Sequence, residues 1–145
     1  MVSKRDQFRA ICQSHGVGLA YAFGSAADRL MSILADATPE PLDPLADLDL
    51  GVVFAIPLPQ HSAPAHEIYA RLHSALGELF SPMPLDLVLL EETHSLLQVE
   101  AISGLCAFEV SSDFRQDFEL NALRRAADFR YHFEQYHRER REALR

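Results

Sequence analysis

Residues 46–54 read Ala46-Asp47-Leu48-Asp49-Leu50-Gly51-Val52-Val53-Phe54, an acid–apolar alternation that turns into an unbroken apolar run. Side chains of a strand alternate faces, so Asp47 and Asp49 project from one side while Leu48 and Leu50 enter a core. Two anions held side by side repel and desolvate poorly, and a cation between them relieves both costs. Oxygen-only ligands suit Mg²⁺, which protein sites hold with one or two carboxylates while water and substrate phosphates complete its shell. The stretch is thus expected to be a metal–phosphate platform. An isolated Asp-x-Asp is more often a solvated strand entry, so the rest of the chain has to decide.

Upstream, the pattern predicts a helix from Ser3 to about His15, with Phe8, Ile11 and Cys12 inward, and a strand from Val17 to Phe23 with Leu19, Tyr21 and Phe23 on one face. The strand breaks at Gly24-Ser25, and a helical pattern follows from Ala26 to about Leu34. Backbone N–H groups and a hydroxyl at a helix start suit an anion such as phosphate. A turn with an N-cap is the competing explanation for Gly-Ser alone.

Downstream, Asp36–Ala46 is Pro-rich and aperiodic, hence a loop, as is Pro57–Pro64. A helix is expected from about Ala65 to Phe80, carrying His66 and His73 too far apart to share a metal. Leu85–Leu90 reads as a third strand whose only polar residue is Asp86, and a buried lone acid needs a partner or water. Thr93 is expected to cap a helix reaching about Ser103; Leu105–Val110 is a fourth strand, and Ser112 or Asp113 opens a long Arg-rich helix.

The length of 145 residues fits a single domain, 1–145, with enough chain for a core. No apolar run has membrane length and the N-terminus lacks a signal-peptide pattern, so the expected location is cytoplasmic. Cys12 and Cys106 match no metal spacing and are expected to be reduced thiols. Residues 1–112 hold 5 Lys/Arg against 14 Asp/Glu, and residues 113–145 hold 8 Arg against 7 acids. Such an acidic body argues against direct nucleic-acid binding.

The ordered set Ala22-Phe23-Gly24-Ser25, Asp47-Leu48-Asp49-Leu50 and Leu85-Asp86-Leu87-Val88, with a closing strand and long helix over Phe108–Tyr136, resembles the minimal nucleotidyltransferases. These are the MNT group, related to kanamycin nucleotidyltransferase and the polymerase-beta superfamily. The resemblance implies an α/β (α+β) nucleotidyltransferase fold, a mixed sheet of about four strands flanked by helices. It further implies that Gly24 and Ser25 hold the β- and γ-phosphates of ATP. Asp47 and Asp49 would bind two Mg²⁺ ions, and Asp86 would ligate the catalytic metal and help deprotonate the acceptor hydroxyl. Many members are antitoxins that adenylylate a HEPN-type ribonuclease toxin, so the implied partners are a nucleoside triphosphate and such a toxin. The alternative is an inactive antitoxin that neutralises its partner by binding; an antibiotic-modifying enzyme is a third reading. The toxin's own Arg…His-x-Tyr signature is absent, since His132-Phe133-Glu134 lacks the tyrosine.

The sequence departs from the group's pattern in three places. Twenty-one residues separate Ser25 from Asp47, Ala46 stands where a serine is usual, and Asp28-Arg29 replaces Arg-Gly, moving the arginine one position. One position turns a helical side chain by about 100°, so Arg29 is a candidate for the triphosphate on equal terms with a solvated arginine.

The long helix carries two apolar stripes. Phe118, Ala122, Ala126, Phe129, Phe133 and Tyr136 make one; Leu120, Leu123, Ala127 and Tyr131 make another, well round the helix. One can close the core, and the other calls for a partner or a second copy. Residues 112–145 are therefore expected to serve in packing or partner binding.

Overall fold

The structure is a computed structural model and describes residues 2–37, 46–56, 58, 59 and 61–144. Most of the expected Asp36–Ala46 loop, and part of the Pro57–Pro64 loop, lie outside the described residues.

Helix α1 (Lys4–Ser14) starts where Ser3 Oγ accepts from the Asp6 N–H at 3.1 Å. It is followed by β1 (Val17–Phe23), α2 (Ala27–Leu34) and β2 (Leu48–Phe54). Helix α3 (Ala63–Phe80) begins two residues earlier than its apolar stripe suggests. Ser62 caps it, and a proline in its first turn needs no N–H there. Then come β3 (Leu85–Leu89), α4 (Ser95–Ile102), β4 (Leu105–Glu109) and α5 (Ser112–Ala143), capped by Ser111.

One expected cap is corrected. Thr93 Oγ1 donates to the Leu90 carbonyl at 2.9 Å and closes a 3-10 turn over Leu90–Glu92, so it is spent. His94 Nδ1 caps α4 instead, accepting from the Leu96 N–H.

The sheet runs β3-β2-β1-β4, with β1 antiparallel to both neighbours and β2 parallel to β3. β1 is buried along its whole length because helices cover both faces of a central strand. Helices α1, α2 and α3 bury Phe8, Cys12, Leu30, Leu34, Leu72 and Leu76 against Leu48, Leu50 and Val52. On the other face, α4 and the first half of α5 bury Ala101, Phe114 and Phe118 against Leu19, Tyr21, Phe23 and Val53. At Gly18 an added Cβ would stand 2.6 Å from the Phe114 ring, so glycine there lets α5 lie directly on β1.

The edge strand β3 is only half-buried, and α3 shields its outer side: Tyr69 donates from its hydroxyl to the Leu87 carbonyl at 2.9 Å, and a His73 ring nitrogen lies 3.2 Å from the Leu85 carbonyl. Both cysteines are free, Cys12 buried and Cys106 partly so.

Helix α5, about 48 Å long at 1.5 Å per residue, outruns the body. Its first stripe meets the core at Phe118 and Ala122, is half-buried at Ala126 and then leaves it. Phe129, Phe133 and Tyr136 are 37%, 51% and 56% exposed, with Phe129 against His94 and stacked on Phe133. The second stripe, Leu120, Leu123, Ala127 and Tyr131, is exposed throughout. Among the described residues no helix is long and apolar enough to cross a membrane.

Candidate active site

Strand register assembles the site. Asp49 on β2 pairs with Phe23 on β1 across one side and with Asp86 on β3 across the other. Gly24 follows Phe23, so the chain turns away from β1 right beside Asp49. It does so at φ +76°, a left-handed conformation that glycine adopts without penalty. An added Cβ at Gly24 would collide with Asp49 Oδ2, which means that the carboxylate rests directly on the glycine backbone.

Asp49 is half-buried, and its pKa is raised above the ordinary aspartate value of 3.8. Burial is the largest cause, followed by the charge of Asp86 and a hydrogen bond with it, and then by the charges of Asp47 and Glu100. Asp47 and Asp86 are exposed, Asp47 just ahead of β2 and Asp86 at the second position of β3. The phenol of Tyr69 is raised by burial first and by Asp86 second, which places α3 beside this pair.

Across the turn from Asp49, Ser25 is exposed and the Ala27 N–H donates to the Gly24 carbonyl at 3.3 Å. Ala26, the N-cap residue of α2, provides no side-chain cap, so beyond the Ala27 N–H the first-turn amides are open to an external acceptor. Asp28 sits in that first turn and sets a negative charge beside the same amides.

Arg29 stands apart from this cluster. It lines a cavity of about 330 Å³ with Lys4, Ile33, Asp36 and the Leu79–Met83 turn, none of which belongs to the aspartate cluster. Its Nε is buried without a hydrogen-bond partner among the described residues. Glu100 adds a small share to the raised Asp49 pKa through its charge, and the sequence did not single it out. It lies on α4, and the only signal for it was its place as the one acid in the apolar stretch Ser95–Ile102.

The donor set is oxygen-only, with Asp49 and Asp86 at paired strand positions and Asp47 two residues before Asp49, a chemistry that fits Mg²⁺. Among the described residues no three His, Cys, Asp or Glu side chains are gathered closely enough to hold a metal on protein ligands alone. A hard cation that keeps waters and takes substrate oxygens does not require three.

No family model matches the chain, and the comparison with curated proteins returns no match. Solved structures do match. A toxin–antitoxin structure with AMP-PNP superposes with a TM-score of 0.57 at 17% identity, covering 97% of this chain and 98% of that one. The MntA–HepT toxin–antitoxin superposes at 0.53 and 16% identity, covering 98% and 97%. This is the nucleotidyltransferase fold. A third match is the tri-AMPylated Shewanella oneidensis HEPN toxin in complex with MNT antitoxin, at 0.50 and 17% identity, covering 97% and 92%. With coverage this complete on both sides, the shared nucleotidyltransferase fold takes in the long closing helix and not only the sheet.

Proposed function

We propose that the chain is a metal-dependent nucleotidyltransferase that moves a nucleoside monophosphate, AMP from ATP, onto a hydroxyl of a protein partner. The observation that carries this reading is Asp49 lying on Gly24 while paired in strand register with Asp86. One sheet end thus offers paired acids and, three residues on from Gly24, a helix start without a side-chain cap for phosphates. Support for the nucleotide comes from the AMP-PNP in one structural neighbour, and for the protein acceptor from the tri-AMPylated HEPN toxin in another. On that basis the partner is a HEPN-type toxin and the chain its antitoxin.

Asp47, Asp49 and Asp86 would hold Mg²⁺, which when bound neutralises the polyphosphate and favours the ionised nucleophile. The backbone at Gly24, the Ser25 hydroxyl and the first amides of α2 hold the β- and γ-phosphates and so orient the α-phosphorus. Asp86, the more exposed of the paired acids, accepts the proton of the acceptor hydroxyl. The new bond joins that oxygen to the α-phosphorus, the α–β bridging bond breaks, and pyrophosphate leaves with its electrons. Little covalent help is required of the protein; positioning and charge do the work.

A second reading, neutralisation by binding alone, is favoured by Asp28 beside the phosphate amides and by Arg29 turned into a separate cavity. The deciding experiment incubates the chain, Mg²⁺ and α-labelled ATP with its HEPN-type partner. Label on a partner hydroxyl, lost in Asp86→Ala while the complex persists, is the expected result. A silenced partner with neither protein labelled selects binding alone.

A further inference from the structure

We infer that Tyr69 and His73 of α3 are positioning residues for Asp86 and fix the outer edge of β3 on both sides of it. This role rests on the proposed function, in which Asp86 takes the proton of the acceptor hydroxyl.

The sheet order puts β3 at an edge, with β2 on its inner side. The Pro84 carbonyl accepts from the Leu48 N–H at 2.9 Å, so Pro84 turns its main chain toward β2. Main-chain groups along a strand alternate sides with period two, as side chains alternate faces. Asp86 therefore bonds inward like Pro84, while Leu85 and Leu87 present their carbonyls to the open edge. Left to water, such an edge opens locally at little cost.

Here both carbonyls have partners. The Tyr69 hydroxyl donates to the Leu87 carbonyl at 2.9 Å, and His73 Nε2 lies 3.2 Å from the Leu85 carbonyl. A carbonyl only accepts, so Nε2 carries the hydrogen in this contact. Four residues of helix advance about 6 Å, and two residues of strand cover about 6.6 Å. One face of α3 thus matches two successive edge carbonyls, and these bracket Asp86. The two rings are stacked, with centroids 5.9 Å apart and planes 23° from parallel, so each restricts the other.

Asp86 is exposed at the second position of a five-residue strand, and its aim depends on the backbone that carries it. Asp49 lies on an inner strand, held by β1 on one side and β3 on the other. For Asp86, β2 holds one side and this tyrosine–histidine pair the other. A displacement of about 1 Å in a reacting group is enough to cost about 100-fold in rate.

The test combines transfer kinetics with hydrogen exchange. Tyr69→Phe keeps the ring and loses the donor, His73→Ala loses ring and donor, and His73→Gln restores an N–H donor. With α-labelled ATP, Mg²⁺ and the HEPN-type partner, Tyr69→Phe combined with His73→Ala is expected to lose about tenfold or more in kcat, with KM for ATP within about twofold of wild type. His73→Gln should recover most of what His73→Ala loses. In the free chain, without nucleotide or metal, the double variant should exchange β3 amides faster and β1 amides at the wild-type rate. Wild-type kcat in the double variant, alongside an Asp86→Ala variant that transfers nothing, overturns the positioning role and leaves the reading of Asp86 standing. Unchanged exchange in β3, or equal loosening of β1 and β3, overturns it as well. An Asp86→Ala variant as active as wild type refutes instead the catalytic reading, and the positioning role falls with it.

Discussion

Asp49 and Asp86 occupy paired positions on adjacent parallel strands, and Asp86 is the charged group that does most to raise the Asp49 pKa. The arrangement holds together two side chains that would repel if both were ionised. Their proximity follows from the β2–β3 register, because a slip of one residue would turn one of them into the core.

This pairing has a stability cost with a definite sign. The Asp49 pKa is raised in the folded chain by burial, by Asp86 and by the neighbouring acids, so the folded state holds its proton to higher pH than the unfolded state does. Below about pH 3.8 both states are protonated and nothing is lost. As pH rises through the raised value, the folded state is penalised, and the penalty is complete above it. In the presence of a chelator, Asp49→Asn is expected to melt higher than wild type at neutral pH. Its advantage should vanish as pH falls below the ordinary aspartate range, which thermal melts across pH 3–8 would show.

Gly24→Ala is expected to fold with a loss of about 1–3 kcal/mol from the left-handed backbone. It should also push the Asp49 carboxylate aside, since the new methyl would collide with it. Nucleotide binding should therefore fall by more than stability does. Urea unfolding and calorimetric titration with AMP-PNP on the same preparation separate the two effects.

Tyr21 is fully buried and donates to Glu119 Oε1 at 2.8 Å, and Arg115 Nε donates to the same oxygen at 2.9 Å. Glu119→Ala strands the phenol without an acceptor and is expected to cost about 1–3 kcal/mol. Tyr21→Phe removes the demand along with the group and should cost less. In a double-mutant cycle by urea unfolding, the combined variant should resemble Tyr21→Phe more than the sum of the two changes.

Much of the fold was legible because its signals are local. Ser3 caps α1, Gly24 ends β1, and apolar alternation marks β1 and β2. The four strands fall within a residue of where periodicity puts them. Other features depend on contacts that spacing does not encode. The 3-10 turn after β3 consumes the Thr93 hydroxyl and passes the cap to His94. Arg29 faces Lys4 and the Leu79–Met83 turn because of how α2 packs on α1 and α3, which no motif carries. The charge of Glu100 acts on Asp49 because α4 packs over β1, beside which Asp49 lies, a relation that spacing does not encode. The first stripe of α5 is uniform in sequence, yet it stops being core after Ala122 because α5 runs on past the sheet, touching the body again at its edge through Phe129 on His94.

The central claim is that Asp49 and Asp86, together with Gly24 and Ser25, form one site for a cation and a nucleoside triphosphate. Thermal melting in four conditions tests it most directly: no ligand, Mg²⁺ alone, AMP-PNP alone, and both together. Each ligand completes the other's shell, so the two together should raise the melting temperature by more than the sum of the separate shifts, by about 2–4 °C or more at saturating ligand. Asp47→Asn should abolish that synergy. Melting that is the same in all four conditions would contradict the site.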